Sequence, residues 1–472
     1  MNGELLSRHP SLLSGAAFAI ALLVGLAIPV YADLMAGNYI RLMVLPALIA
    51  LGFVFCVDRL FLLGMVLLFR AAGDLVFDST KFSLGPISLG FGGLVNAFVI
   101  LIAVLLVAGR PARFPRTVAQ PWIAFLLVAL ICTLTAPEKG EAIRSYLGFL
   151  SYFAVFLSAF YFVRTEADFK VCVKLVLLSS LLPSAYALVD VLLSGLPMGF
   201  QGYRLKSTFT HPNIFAFYLT LVLCLALYAL KSPRIQLGAF RRSALTLYVP
   251  YLLALLLLTQ TRSAWMACFA VFGIYALMFE RRYLVYLAAA PALAMLVPSV
   301  RDRVLDLGSG NEVVQYAKLN SFAWRLQIWE YGLRWIRPEN LLLGYGFGSF
   351  KFYSPTFFPF SGGVNFGAHN IYVQTIFEFG LAGLAALSWL FARLLRTLKR
   401  MARIDKLGAF VAIALVVEYM IISASDNIFS YLAFNWYFWF VVGAGCAVVL
   451  RHMEEEREEP VAVRQPLIRA AI

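Results

Sequence analysis

Runs of apolar residues long enough to cross about 30 Å of hydrocarbon recur along nearly the whole chain, and no other feature limits its fold so severely. Inside lipid every backbone amide and carbonyl needs a partner within the protein, so each run has to be a helix and the helices have to pack together. Composition agrees: 62% of residues are hydrophobic, 14% are charged and mean hydropathy is +0.83, a balance that would leave a soluble domain with large apolar patches in water. The expected fold is all-α, a polytopic transmembrane helical bundle in which residues 1–472 form a single integral membrane domain.

The candidate spans lie at roughly 11–31, 42–57, 60–77, 87–108, 121–136, 144–163, 171–193, 213–230, 244–260, 263–279, 282–299, 370–393, 407–424 and 433–450, about fourteen in all. Reading 42–57 and 60–77 as a re-entrant pair lowers the count to about twelve. Residues 11–31 follow Arg8 in the manner of a signal peptide, but the length of the run and the many spans after it favour an uncleaved first helix. Cations concentrate in alternate short loops: Arg110, Arg113 and Arg116; Arg164 and Lys170; Lys231, Arg234, Arg241 and Arg242; Arg281 and Arg282; and the stretch from Arg393 to Lys406. The positive-inside rule makes these loops and both termini cytoplasmic, so the formal net charge of +14 reads as topology rather than as nucleic-acid binding. The tail at 451–472 is then cytoplasmic, and its acidic run from Glu454 to Glu459 is a solvated end.

One hydrophilic interruption is long, from about 300 to 369, and the alternation of sides makes it a periplasmic loop of a length that usually carries function. Within it, 322–336 reads as a helix apolar on two sides, with Phe322, Leu326, Trp329 and Leu333 on one and Trp324, Ile328, Tyr331 and Trp335 on the other. Such a helix suits the membrane interface or a place against the bundle.

His9 and His452 lie in the cytoplasmic ends, whereas His211, in Thr-His-Pro-Asn, and His369, in Ala-His-Asn, each open a span at the outer boundary. Each is either part of a helix cap, with Asn213 or Asn370 meeting the first amides, or a functional imidazole. Both accounts fit His211, and the adjoining long loop favours function for His369. Arg262 stands between two apolar runs with almost no loop around it, a costly position unless something pairs with it. Together with Arg204 and with Arg325 of the loop helix, it forms a guanidinium cluster suited to an anionic, phosphate-bearing substrate, while Lys206 reads as a snorkelling boundary residue.

Gly344, Gly346 and Gly348 read as a flexible turn beside the site, not a phosphate-binding loop, because no Gly-Lys-Ser/Thr follows. Arg70 and Asp74 read as an internal i,i+4 ion pair, and Glu378 as a supporting residue two to three turns into the helix that His369 opens. The six cysteines fall in or beside apolar runs without ligand spacing, and no His, Cys or carboxylate pattern marks a metal site, so no cofactor is expected.

The segments from Gln260 to Trp265, from Arg325 to Trp329 with Leu342 to Gly348, and from Ala368 to Gln374 with Glu378 to Gly383 resemble the O-antigen ligase and polysaccharide polymerase superfamily. The resemblance is strongest from about 200 to 385, extends before that only to hydrophobic helices, and brings a usual count of about twelve spans. It implies an inverting, metal-independent glycosyltransferase of the inner membrane. Its donor would be an undecaprenyl-diphosphate-linked oligosaccharide at the periplasmic face, among membrane lipid, with a chain-length regulator and a flippase as companions and no nucleic acid. A diphosphate leaves readily once cations neutralise it, and a base near neutral pKa then activates the acceptor hydroxyl. On that basis His369 is the general base, Arg204 and Arg262 bind the diphosphate, Arg325 adds a third contact and His211 orients substrate.

The stretch from Thr208 to Phe217 and Ser425-Asp426-Asn427 look more like exopolysaccharide polymerases than ligases acting on lipid A core. A ligase would need a further basic patch for lipid A core, for which Arg301, Arg303, Arg334, Arg337 and Lys351 are available. A lipid-linked glycan flippase or other transporter fits the hydropathy as well, but such folds usually carry internal repeats and midplane charges.

Overall fold

The structure is a computed structural model, described for residues 44–79, 82–84, 87–163, 165–194, 204–305 and 321–469. The expected span at 11–31, His9 and the middle of the long interruption lie outside those residues. In chain order the helices are α1 (Val44–Val57), α2 (Arg59–Arg70), α3 (Asp74–Ser79), α4 (Phe91–Gly109), α5 (Arg116–Leu134), α6 (Lys139–Phe162), α7 (Glu166–Ser179), α8 (Leu181–Ser194) and α9 (Pro212–Lys231). There follow α10 (Ala239–Leu258), α11 (Arg262–Met278), α12 (Tyr283–Ala294), α13 (Pro298–Leu305), α14 (Ser321–Arg334), α15 (Ser349–Phe357), α16 (Ile371–Arg400), α17 (Lys406–Ser423) and α18 (Leu432–Arg469). Among the described residues the helical expectation holds apart from one antiparallel ladder, in which β1 (Phe82–Leu84) pairs with β2 (Ile87–Leu89) in the register Phe82 to Leu89 and Leu84 to Ile87.

Among the described residues nine helices are long and apolar enough to cross a membrane, one of them the Ala167–Leu193 run that α7 and α8 share. Among the described residues the expected twelve to fourteen are not all found by length, and the span expected at 11–31 lies outside them. The helices α11 and α12 have 17 and 12 residues, about 26 and 18 Å at 1.5 Å per residue, against about 30 Å of hydrocarbon.

The chain clusters into two compact units, one within residues 44–66 and 76–95 and the other comprising 67–75 and the described residues from 96 onward. In the larger unit the innermost helix is α18, whose apolar window is 94% buried, followed by α9 at 89%; α10, at 17%, lies on the periphery. Aromatic rings fill the interior around α18: Trp439 packs on Trp122 of α5 at 4.5 Å between centroids, and Phe438 stacks on Tyr419 of α17 at 4.1 Å. Each such pair contributes roughly 0.5–1.5 kcal/mol beyond its area burial.

Two departures from regular helix position the site. The first is α16, which breaks at Gly380, where φ is 63° and ψ is −164°. The segment 341–347 fills the break. Tyr345 and Gly346 amides donate to the carbonyls of Phe377 and Glu378, while the Leu381 and Ala382 amides donate to the carbonyls of Leu341 and Leu342. Phe347 N donates in turn to Cys132 O at the end of α5. The glycine-rich stretch is therefore not a flexible turn but an inserted segment, because a backbone this deep persists only with its polar groups paired inside the protein. The second departure is the long interruption, which builds its own apolar cluster from Ile328, Phe350, Phe357, Phe358, Val373 and Phe377, with Trp324, Tyr331 and Trp335 packed on it. Of the two apolar sides expected on the loop helix, the Ile328 side faces this cluster, and Phe322, Leu326 and Leu333 stay exposed.

Gly344 and Gly348 separate close approach from backbone strain. Both have positive φ, but a Cβ on Gly344 would overlap the Glu378 backbone, whereas nothing lies within 4 Å of one on Gly348. Gly348→Ala should therefore show only the left-handed penalty of about 1–2 kcal/mol, and Gly344→Ala a clearly larger fall in thermal midpoint, measured on protein in detergent. Equal falls would show that 341–347 is not wedged into α16.

Candidate active site

Four connections of the larger unit meet at one end of the bundle: the segment before α9, the turn between α10 and α11, the entry to α16, and the link from α17 to α18. Helix directions dictate this, since α9, α11 and α16 begin where α17 ends. Asp426 is the centre of the meeting point. It is 1% exposed, and its carboxylate accepts from Tyr431 Oη at 2.7 Å, from Asn427 N at 2.8 Å and from Asn213 Nδ2. Burial alone would raise this carboxyl, but neighbouring His369 and Tyr431, with the charge of Arg325, outweigh it and hold the group below the usual carboxylate range.

His369 Nδ1 lies 3.8 Å from Asp426 Oδ1, beyond a direct hydrogen bond. Among the described residues this buried Nδ1 has no hydrogen-bond partner, while the side chain as a whole is 37% exposed. The ring stands edge-on to Trp324 at 6.2 Å, and its backbone is left-handed, with φ 49°. Both flanks hold it there. Trp329 Nε1 donates to the Ala368 carbonyl at 2.6 Å, and Asn370 Oδ1 caps α16 by accepting from the Tyr372 and Val373 amides. Capping thus falls to Asn370 and leaves the imidazole of His369 uncommitted to it.

The other histidine differs. His211 is itself the N-cap of α9, its Nδ1 accepting from Asn213 N at 3.1 Å, and its ring stacks over Tyr431 at 6.3 Å. Its edge reaches solvent, yet the packed surroundings lower its pKa, with the cations Arg204 and Lys206 adding to the effect and Asp426 opposing it. The cap expected of Asn213 is thus made by the His211 imidazole itself, and Asn213 bridges Arg204 and Asp426.

Arg204 is tied into the scaffold: Nε donates to Thr259 O at 3.0 Å, and Nη2 to Asn213 Oδ1 at 2.7 Å and Thr261 Oγ1 at 3.0 Å. Arg262 Nη2 donates to Ser321 Oγ at 2.6 Å, which links the start of α11 to the start of α14. Desolvation lowers the pKa of Arg325, partly offset by Asp426 and Tyr431 and reinforced by the like charge of Arg262. All five residues expected from the sequence are therefore drawn to one end of the unit.

The sequence reading passed over two parts of the site. Asp426 was noted only within a motif, although an acid in a short polar link between apolar runs is a usable signal. The Arg70–Asp74 pair, at 2.9 Å, is more than internal, because Asp74 Oδ2 accepts from Thr210 N and Oγ1 at 3.3 Å and the Ala71 carbonyl accepts from Thr208 Oγ1. It brackets the segment that ends in His211.

A bundle of membrane-crossing helices with a buried acid, two histidines and three arginines at one end defines a multi-pass membrane protein with a compact polar site. Residues 247–388 match the family model described as O-Antigen ligase, so this stretch of the chain is similar to the O-antigen ligase-like superfamily, a likeness that points to membrane glycan processing of the ligase or polymerase type. The matched stretch contains Arg262, Arg325 and His369, while Arg204, His211 and Asp426 lie beyond it. A search of curated proteins finds no match.

Removing the Asp426 carboxylate leaves Tyr431 Oη and Asn213 Nδ2 without their acceptor, at about 1–3 kcal/mol for each buried group. Asp426→Ala should lower the thermal midpoint at pH 7 by several degrees. Because the native pKa is depressed, this stabilisation is complete above the unfolded value of about 3.9 and is lost as pH falls below it. A midpoint unchanged at pH 7 would remove Asp426 as the hub.

Proposed function

We propose that the chain is a metal-independent, inverting glycosyltransferase acting at the periplasmic face of the inner membrane, with both termini cytoplasmic, on an undecaprenyl-diphosphate-linked glycan. The observation that carries this reading is the His369 imidazole, without a hydrogen-bond partner at Nδ1 among the described residues and 3.8 Å from Asp426, whose ionised carboxylate Arg325 helps to stabilise. In the reaction His369 takes the proton of the acceptor hydroxyl as that oxygen bonds to the anomeric carbon of the donor. The anomeric carbon to oxygen bond breaks, and the electron pair departs on the diphosphate. Asp426 stabilises the imidazolium so formed, and Arg262 and Arg325 stabilise the leaving diphosphate. Arg204, committed to Thr259, Asn213 and Thr261, adds positive charge from within the scaffold and fixes the approach of His211, which orients substrate.

His369→Ala should reduce glycan transfer at least a hundredfold while leaving expression and lipid-linked donor binding intact, since a positioned base is worth about 10²–10⁴ in rate. Arg262→Ala should weaken donor binding, and Arg262→Lys should recover it only in part, because an ammonium cannot fork onto two phosphate oxygens. The assay is radiolabelled transfer in reconstituted vesicles; near-native turnover in His369→Ala would reduce that residue to a structural one.

For the acceptor we favour another lipid-linked repeat unit, which makes the activity polymerisation. The supporting feature is the Thr208 to Phe217 segment, whose bracketing by Asp74 shapes the wall next to His211. The second reading, a ligase acting on lipid A core, has support in the family match. Glycan length in a deletion strain separates them. Loss of polymerisation should leave single repeat units, whereas long chains persisting on undecaprenyl diphosphate would identify a ligase.

A further inference from the structure

At the end of the larger unit opposite the candidate active site, a cavity of about 490 Å³ opens between the last turn of α9, the turn after α11 and the first turn of α17. The helix directions establish that it is the other end, since α9 and α11 start at the site and α17 finishes there. Its polar lining is Lys231, Arg234, Glu280, Asp405 and Lys406, with Tyr275 as an aromatic wall.

Both carboxylates in the lining are already engaged. Glu280 pairs with Lys231 at 2.8 Å, binds Arg282 and accepts from Tyr275 Oη. Burial alone would raise Glu280, but Lys231, Tyr275 and Arg282 hold it down at about 2, so it remains ionised through mild acid. Asp405 accepts from Tyr228 Oη at 2.7 Å and Gly408 N at 2.9 Å and faces Arg234 at 3.7 Å. In the lining Lys231, Arg234 and Lys406 are three cations against these two carboxylates, a surplus of one positive charge to which Arg282, paired with Glu280 beside the cavity, adds. Next to it, Leu277 and Met278 of α11 and Val285 and Tyr286 of α12 expose 63–70% of their surfaces, an apolar face that in a membrane protein meets acyl chains.

We propose that this cavity binds the headgroup of an anionic phospholipid in the leaflet opposite the candidate active site, its phosphate against Lys231, Arg234 and Lys406 and its acyl chains along α11 and α12. A positive surplus beside an exposed apolar face fits an amphiphile, whereas a free phosphate would use the charge alone. The two carboxylates, though already engaged, still repel a densely charged soluble anion. This site is independent of the glycan chemistry proposed above.

The test uses the full chain in nanodiscs of equal parts phosphatidylglycerol and phosphatidylcholine, with lipid retained on the released protein counted by native mass spectrometry. The native chain should retain phosphatidylglycerol over phosphatidylcholine. Lys406→Ala, an exposed change, should lower that preference about fivefold, the worth of one cation beside an anionic lipid, and Lys406→Arg should restore it. Glycan transfer by Lys406→Ala in phosphatidylcholine vesicles should equal the native rate, which checks that the fold is intact. Equal retention of the two lipids, or an unchanged preference in Lys406→Ala, would overturn the site. Displacement of the retained lipid by millimolar inorganic phosphate would overturn the assignment to a phospholipid in favour of a soluble anion.

Discussion

An unpaired backbone amide in hydrocarbon costs several kcal/mol, and at Gly380 that constraint is met by one chain segment completing another. The break frees carbonyls at 377 and 378 and amides at 381 and 382, and residues 341–346 supply the complementary groups. Much of the site depends on this exchange. It ties the segment after α14 to the middle of α16, so that the helix bearing Arg325 and the helix that opens at His369 are parts of one assembly. Because Phe350, Phe357 and Phe377 pack into a shared cluster, the long interruption has an interior of its own rather than lying loose on the bundle.

Backbone strain gathers in the same place. Among the described residues the three non-glycine residues with positive φ are Ser207, Gln260 and His369, each in a connection that enters the site. A left-handed conformation costs a residue of this kind roughly 1–2 kcal/mol and persists only where the surroundings over-determine it. At His369 the determinants are visible: Trp329 holds the carbonyl before it, and Asn370 caps the helix after it. His369 stands one residue before the N-cap, Asn370, whereas in the otherwise similar Thr-His-Pro-Asn entry His211 is itself the N-cap.

The two ends of the larger unit treat charge in opposite ways. At the candidate active-site end the buried carboxylate Asp426 stands among histidine and arginine. At the other end the carboxylates Glu280 and Asp405 are each saturated by neighbours, and the cations outnumber them. Desolvation makes any unbalanced charge costly near the bilayer, so surplus charge at either end is tolerated best where a charged ligand or headgroup can meet it.

By itself the sequence determined that the chain is a helical membrane protein, where most of its spans fall, and which five polar residues stand out, because a run of apolar residues has one physical solution in lipid and a charge near it has to be explained. His369, Arg204, Arg262, Arg325 and His211 were legible for that reason. Only the tertiary structure decided what these residues do to one another: that His211 caps while His369 does not, that Arg204 is committed to Thr259 and Thr261, and that Asp426, more than 50 residues from His369, is the group around which they assemble. It also turned the Gly344 to Gly348 stretch from an apparent flexible turn into the insert of a broken helix. Periodicity and composition report on a residue's neighbours along the chain. A pairing between residues 345 and 377 depends on two distant segments meeting in space, and nothing local to either of them encodes it.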